Sequence, residues 1–243
     1  MKPIVTQAES KSATRPEQMN HGTTLVMAIF IGICAVTIAN QLGNFWPIQP
    51  WLNTAFVVTA LVTSIAAFAP ILAWPNVVLA AGLAAAIGGI AHAINTVTGL
   101  PFGRFDFTAA AGPRPLGLVP WWLPLVWGCI ALTTRGVARL ILHNSRSHPH
   151  HGYRVIGLAT LLGLFSAMGL ETFATRAANL WTPNATPLLN LASCLALHLF
   201  TQISITPLLI DKFPGPRPPN FRPLFVWAGI NALMVLGLAA KQL

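Results

Sequence analysis

Of 243 residues, 54% are hydrophobic and 8% charged, and the formal net charge is +9. A soluble domain carries roughly 25% charged residues, so a soluble enzyme or binding module is excluded and an all-α polytopic membrane helix bundle is expected. The positive charge does not announce a nucleic-acid partner, because the basic residues stand at the ends of apolar runs.

Residues 1–23 are polar and mixed in charge, without the basic start and short apolar core of a signal peptide. They predict a disordered cytoplasmic tail, followed by a transmembrane helical domain over 24–243. Apolar runs follow at about 24–43, 52–73, 76–96, 117–142, 154–175, 187–210 and 221–240. About 20 residues at 1.5 Å rise cross a bilayer core, and a helix satisfies its own backbone in lipid, so about seven transmembrane helices are expected. With the N-terminus inside, 10 of the 14 basic residues share its side: Lys2, Lys11, Arg15, Arg135, Arg139, Arg146, Arg154, Lys212, Arg217 and Arg222. Arg104, Arg114, Arg176 and Lys241 remain opposite. This bias predicts a cytoplasmic N-terminus, in an integral protein of the bacterial inner (cytoplasmic) membrane.

Several chemistries are struck out by what the chain lacks. No GxGxxG or GxxxxGK[ST] phosphate loop is present. The acids are Glu9, Glu17, Asp106, Glu171 and Asp211, too few and too scattered for the paired aspartate motifs that hold Mg²⁺-diphosphate in membrane prenyltransferases. Lys241 lies beyond the last span, where it cannot serve as a retinal Schiff base. Cys34, Cys129 and Cys194 fall in separate spans, without disulfide or zinc spacing. The run "HNSRSHPHHGYR" at 143–154 holds four of the seven histidines, but Pro149 breaks the helical i, i+4 spacing that ligands often use. It reads as a basic cytoplasmic loop against anionic head groups. Neither a metal nor a cofactor is expected.

Polar groups within spans are costly in hydrocarbon and turn inward. In the third span Ala80, Ala84, Gly88 and His92 form an i, i+4 stripe of small residues ending in an imidazole, with Asn95 and Thr96 a turn on. In the fifth, Gly163, Ala167 and Glu171 repeat the design and end in a carboxyl. In the sixth, Asn190, Cys194, His198 and Gln202 form a polar stripe, and the seventh carries Asn231. Under this topology His92, Asn95, Arg104, Asp106, Glu171 and Asn190 lie near one membrane face. Competing structural readings apply to each. The histidines, Asn190, Gln202 and Asn231 are also suited to interhelical hydrogen bonds, Asp106 to a pair with Arg104, and Glu171 to a pair with Arg176. Glu171 is nonetheless the one acid embedded in a span, and an intramembrane carboxyl is a functional candidate by default.

The stretch "TGLPFGRFDFTAAAGPRPLGLVPWWLPLVW" at 98–127 resembles the signature of the carotenoid biosynthesis protein family. That family includes γ-carotene hydratases of cyanobacteria and bisanhydrobacterioruberin hydratases of halophilic archaea. Thr98, Gly99, Pro101, Phe102, Gly103, Thr108, Gly112, Val119, Pro120, Pro124 and Trp127 match its first block. Glu171, Trp181, Pro187, Leu188 and Asn190 fit its second, and the resemblance covers about residues 76–195. The chain departs from the family at His92, where a Glu is usual, at Phe105 and Phe107, where tyrosines are, and at Glu171, where Asp is.

The resemblance implies a cofactor-independent hydratase that adds water to the terminal double bond of a linear carotenoid. Its partners would be the carotenoid or another isoprenoid lipid, the membrane and other carotenoid enzymes, with no nucleic acid. Glu171 is the natural proton donor, and His92 or Asp106 would orient or deprotonate the water. Phe102, Phe105, Phe107, Trp121 and Trp122 would line the end-group slot and face the cation with their rings. Asn95, Arg104, Asn190 and His198 complete the expected substrate site, and the glycine-rich loop would fold over it as a lid. A non-catalytic carotenoid- or lipid-binding subunit of a larger complex is the competing class.

Overall fold

The computed structural model describes residues 21–43, 49–69, 71–146, 148–184, 187–210 and 219–240. The tail expected at 1–23 therefore lies outside the described residues up to Asn20. So do Asp211, Lys212, Arg217 and Lys241.

Among the described residues the chain forms α1 (His21–Gly43), α2 (Gln49–Phe68), α3 (Trp74–Thr98), α4 (Trp122–Ile141), α5 (His151–Thr172), α6 (Pro187–Ile205) and α7 (Arg222–Ala240). Two short strands, β1 (Arg104–Phe107) and β2 (Trp181–Asn184), lie in the connections after α3 and α5. By length and composition α1, α3, α7, the continuous stretch His151–Ala177 and the stretch Pro187–Leu209 can each cross a membrane. α2 adds a shorter apolar stretch, Leu52–Phe68. The chain is an integral membrane protein built as a helical bundle.

α4 is the hub of that bundle. Every residue from Val126 to Ala138 is buried, so this helix packs on nearly all sides rather than against lipid. Small residues permit the close approach. Gly128 faces the Ala81 backbone of α3, Gly136 meets Pro223 of α7 and Phe68 of α2, and Gly88 of α3 lies against the Trp127 side chain. The same contacts fix the direction of the helices. Ala81 sits by Gly128 and Gly89 by Pro124, so α3 and α4 are antiparallel. Ser64 meets Cys129, and Gln202 bonds the Ala131 carbonyl. As a result Arg135, Arg139, Arg146, Arg154 and Arg222 gather at one end of the bundle, and Arg104, Arg114 and Arg176 at the other.

The fourth helix begins later than the apolar run at 117 suggests. Pro115–Gly117 forms a separate 3₁₀ turn, with Leu116 at φ 56° and Gly117 at φ 71°. The helix starts after Pro120, with Pro124 inside its first turn, where a missing N–H leaves nothing unsatisfied. Hydropathy cannot separate an apolar interfacial loop from the helix that follows it.

The two strands were not legible as strands. They pair antiparallel, Phe107 opposite Trp181 and Arg104 opposite Asn184, forming a two-stranded ribbon over one end of the bundle. α3 hands over to this ribbon at Gly99, whose φ of 77° is the left-handed conformation that favours glycine. Its N–H closes on the Asn95 carbonyl.

Candidate active site

The site is assembled from the ends of three helices and the ribbon. α3 brings His92, α5 brings Ala167, Leu170 and Glu171, and α6 brings Asn190, Cys194 and His198. α4 supplies the inner wall with Leu123, Trp127 and Ile130. The ribbon and the turn before it close the cavity with Phe102, Phe105, Phe107 and Trp181. These residues enclose about 40 Å³, room for water, which needs at least about 10–15 Å³ by the same measure.

Strand alternation decides which loop residues enter. Successive side chains of a strand point to opposite faces. Phe105 and Phe107 therefore turn inward, while Arg104 and Asp106 are exposed. Asp106 does not line the cavity, so the water-handling role expected for it lacks a geometric basis. Asp106→Asn is expected to leave turnover within about twofold of the parent, since surface substitutions of this kind are close to neutral. Pigment conversion at equal membrane protein level checks this, and a loss of tenfold or more would return Asp106 to the site.

Glu171 does not pair with Arg176, which is exposed. The Trp181 indole Nε1 donates to Glu171 Oε2 at 3.1 Å. Two residues on, Phe173–Ala177 form a π-helical turn, a local feature frequent at functional sites. It ends the helix so that the chain can enter β2, where Trp181 stands opposite Phe107.

Two imidazoles line the same cavity as this carboxyl, among aromatic rings. His92 stacks on Phe102 at 4.6 Å and lies 5.7 Å from both Phe105 and Trp127. His198 stacks on Trp127 at 4.5 Å and is 0% exposed. Its ring abuts the Cα of Gly163, where an added Cβ would meet Nδ1 at 2.7 Å. Among the described residues, neither nitrogen of His198 nor Nδ1 of His92 has a hydrogen-bond partner. Buried polar atoms are seldom left so, and both rings line the cavity.

Of the remaining polar residues, Asn190 lines the cavity and Asn95, Gln202 and Asn231 stand outside it. Asn95 is fully buried but acts on the loop. Its Nδ2 donates to the Gly103 carbonyl at 2.8 Å and its Oδ1 accepts from Phe102 N–H at 2.7 Å. It clamps the turn that carries Phe102 and does not contact the cavity. Asn190 lines the cavity and accepts a weak bond from Cys194 Sγ at 3.4 Å. Gln202 and Asn231 serve as interhelical contacts, to Ala131 and to Ser166 respectively.

Trp121 and Trp122 line a second cavity on the other side of α4. It holds about 130 Å³ of open space between α2, α4, α7 and the turn at Ala110–Pro113. Its walls are almost wholly apolar, with Phe56, Val126, Cys129, Phe173 and Met234 among them. Trp122 is fixed by its Nε1, which donates to the Ala111 carbonyl at 2.9 Å. Leu170 lines both cavities and forms the partition between them.

Sequence reasoning missed Trp181 as the partner of Glu171, Trp127 as the plate under His198, and Leu170 as the partition. The first has a sequence signal, a Trp ten residues beyond the embedded acid. The other two depend on helix rotation, which an all-apolar segment does not encode.

A family model described as carotenoid biosynthesis protein matches residues 51–190. No curated protein and no solved structure matches the chain. The matched stretch runs from α2 to the start of α6 and contains the cavity walls from His92 to Asn190, including the acid and its tryptophan. Covering more than half of the 243 residues, it shows that the chain belongs to the carotenoid biosynthesis protein family.

Proposed function

We propose that the protein is a carotenoid hydratase. The observation that carries this reading is one carboxyl and two imidazoles, the half-buried His92 and the fully buried His198, lining a water-sized, aromatic-walled cavity. A trisubstituted terminal double bond needs an acid to protonate its less substituted carbon. The π electrons form the new C–H bond, and positive charge develops on the tertiary carbon. Glu171 is the donor, and with Oε2 held by Trp181, Oε1 is the oxygen that carries the proton. The faces of Phe105, Phe107 and Trp127 stabilise the cation. Water adds through oxygen and loses its extra proton to His92, which returns it to Glu171. The net change is addition of one water, with no cofactor.

The apolar cavity beyond Leu170 suits the polyene that trails behind a reacting end group. Chain and end group would then lie on opposite sides of the partition. A polar product hydroxyl would remain among His92, His198 and Asn190.

Expression in a lycopene-producing bacterium tests the reading. The expected result is a pigment heavier by one or two waters, resolved by chromatography with mass detection. An unchanged pigment profile, with the protein present in the membrane and carotenoid co-purifying, would overturn catalysis in favour of a binding subunit.

A further inference from the structure

The two cavities beside α4 meet at one side chain. Leu170 lines both, and it packs against two hydrophobic clusters, the one that holds Phe173 and Met234 and the one that holds Phe107 and Trp127. Its place follows from the rotation of α5, in which successive residues turn by about 100°. Gly169 faces α7, where an added Cβ would meet Met234 Sδ at 3.2 Å, and Glu171 faces the Trp181 indole. Leu170 stands between these directions, on the boundary. Elsewhere the boundary is backbone, with neighbouring residues turned to opposite sides. Val126 and Leu180 line the apolar cavity, Trp127 and Trp181 the other.

The cavities differ in access. Ala110, Pro113 and Trp121, which line the apolar one, are exposed and mark its mouth, whereas no residue lining the Glu171 cavity is exposed. The mouth lies where α4 begins, and the apolar walls suit the isoprenoid units of a molecule dissolved in the membrane. An end group entering there has to pass the Leu170 side chain to reach the carboxyl. The open space is about 130 Å³ on the apolar side and about 40 Å³ around Glu171, so bulk is admitted up to Leu170 and restricted beyond it. One methylene in an apolar pocket changes selection roughly 10–200-fold, and Leu170 is the side chain that can change the passage without removing a polar group.

We propose that Leu170 is a specificity-determining residue, whose side chain sets how bulky an isoprenoid end group can be and still pass from the apolar cavity to Glu171. A slender acyclic end passes, and an end closed into a ring is held back. The route toward the carboxyl rests on the hydratase reading, but the selection is a matter of binding and is measured without turnover.

The full chain, purified in detergent, is offered equal amounts of lycopene and β-carotene, and the retained pigments are extracted and separated by chromatography. The parent is expected to retain lycopene over β-carotene by at least about tenfold. L170A deletes the isopropyl group at the boundary and is expected to bring the ratio close to one. L170F is expected to lower lycopene retention at least about tenfold. L170V makes a smaller change in the direction of L170A and carries the comparison if L170A does not reach the membrane. L233A deletes the same group from the α7 wall of the apolar cavity, away from the boundary, and is expected to keep the parental ratio. The proposal is overturned if the parent retains the two pigments equally or retains neither. It is also overturned if L170A and L170V keep the parental ratio, if L170F retains lycopene like the parent, or if L233A shifts the ratio as far as L170A. Hydration is scored separately in lycopene-producing cells. A ratio that responds to Leu170 without hydrated pigment leaves the selection standing and overturns the hydratase reading, and hydrated pigment with an unresponsive ratio does the reverse.

Discussion

Glu171→Gln is expected to lower carotenoid hydration by at least about 10²-fold, the lower end of what general acid catalysis contributes. The substitution keeps the side-chain length and an oxygen able to accept from the Trp181 indole, so the hydrogen bond of 3.1 Å and the wall of the cavity survive. What it removes is the transferable proton. Carotenoid should therefore still co-purify with the variant while the hydroxylated product disappears. Glu171→Asp shortens the reach of the carboxyl but keeps its chemistry, and partial activity is expected. Product formation by the Gln variant at the parent rate would exclude Glu171 as the donor and leave His92, His198 and Cys194 as the titratable groups lining the cavity. Loss of the protein from the membrane would instead mark Glu171 as structural, and the Asp variant then decides between the two roles.

Gly88→Ala is the second large effect, and it is produced by a single methyl group. A Cβ at this position would overlap Cβ, Cγ and Cδ2 of Trp127, the part of the indole nearest its own backbone and least able to swing aside. α3 must then separate from α4, or Trp127 must leave its rotamer, and overpacking of this kind costs about 1–3 kcal/mol. Trp127 also carries the stacked His198 at 4.5 Å and lies 5.7 Å from His92. The same displacement therefore disturbs both imidazoles. A lower melting temperature in detergent and a fall in hydration of tenfold or more are expected together. Gly82→Ala on the same helix provides the control, because nothing lies within 4 Å of its added Cβ. It should be neutral or gain up to about 1 kcal/mol from helix propensity. Equal behaviour of the two variants would show that α3 and α4 are less closely joined than Trp127 requires.

The helices were legible because hydropathy and span length are properties of each segment alone. The inward stripes were legible for the same reason. Polar and small residues repeated at i, i+4 placed His92, Glu171, Asn190 and His198 toward the bundle interior, and all four line one cavity. The loop was legible in composition but not in geometry. Its acid looked like the functional group and its phenylalanines like accessories, whereas a strand of four residues sends Phe105 and Phe107 inward and Asp106 outward. Strand pairing joins segments more than seventy residues apart, so no local pattern announced it. Trp121 and Trp122 were grouped with the other aromatics by proximity in sequence, yet α4 separates them from the Glu171 cavity. That α4 is the central helix, buried from Val126 to Ala138, follows from contacts on all sides that its own residues do not specify.

The ribbon has a mechanical consequence for the acid. β1 carries Phe105 and Phe107, and β2 carries the indole bonded to Glu171, with Phe107 directly opposite Trp181 in the register. The two strands are joined by backbone hydrogen bonds, which couple the position of one to that of the other. A displacement of the ribbon away from the bundle would move Phe107 and also withdraw the Trp181 N–H from the Glu171 carboxyl. The ribbon therefore acts as a coupling piece: the orientation of the Glu171 side chain and the position of the Phe107 wall are set by one and the same pair of strands.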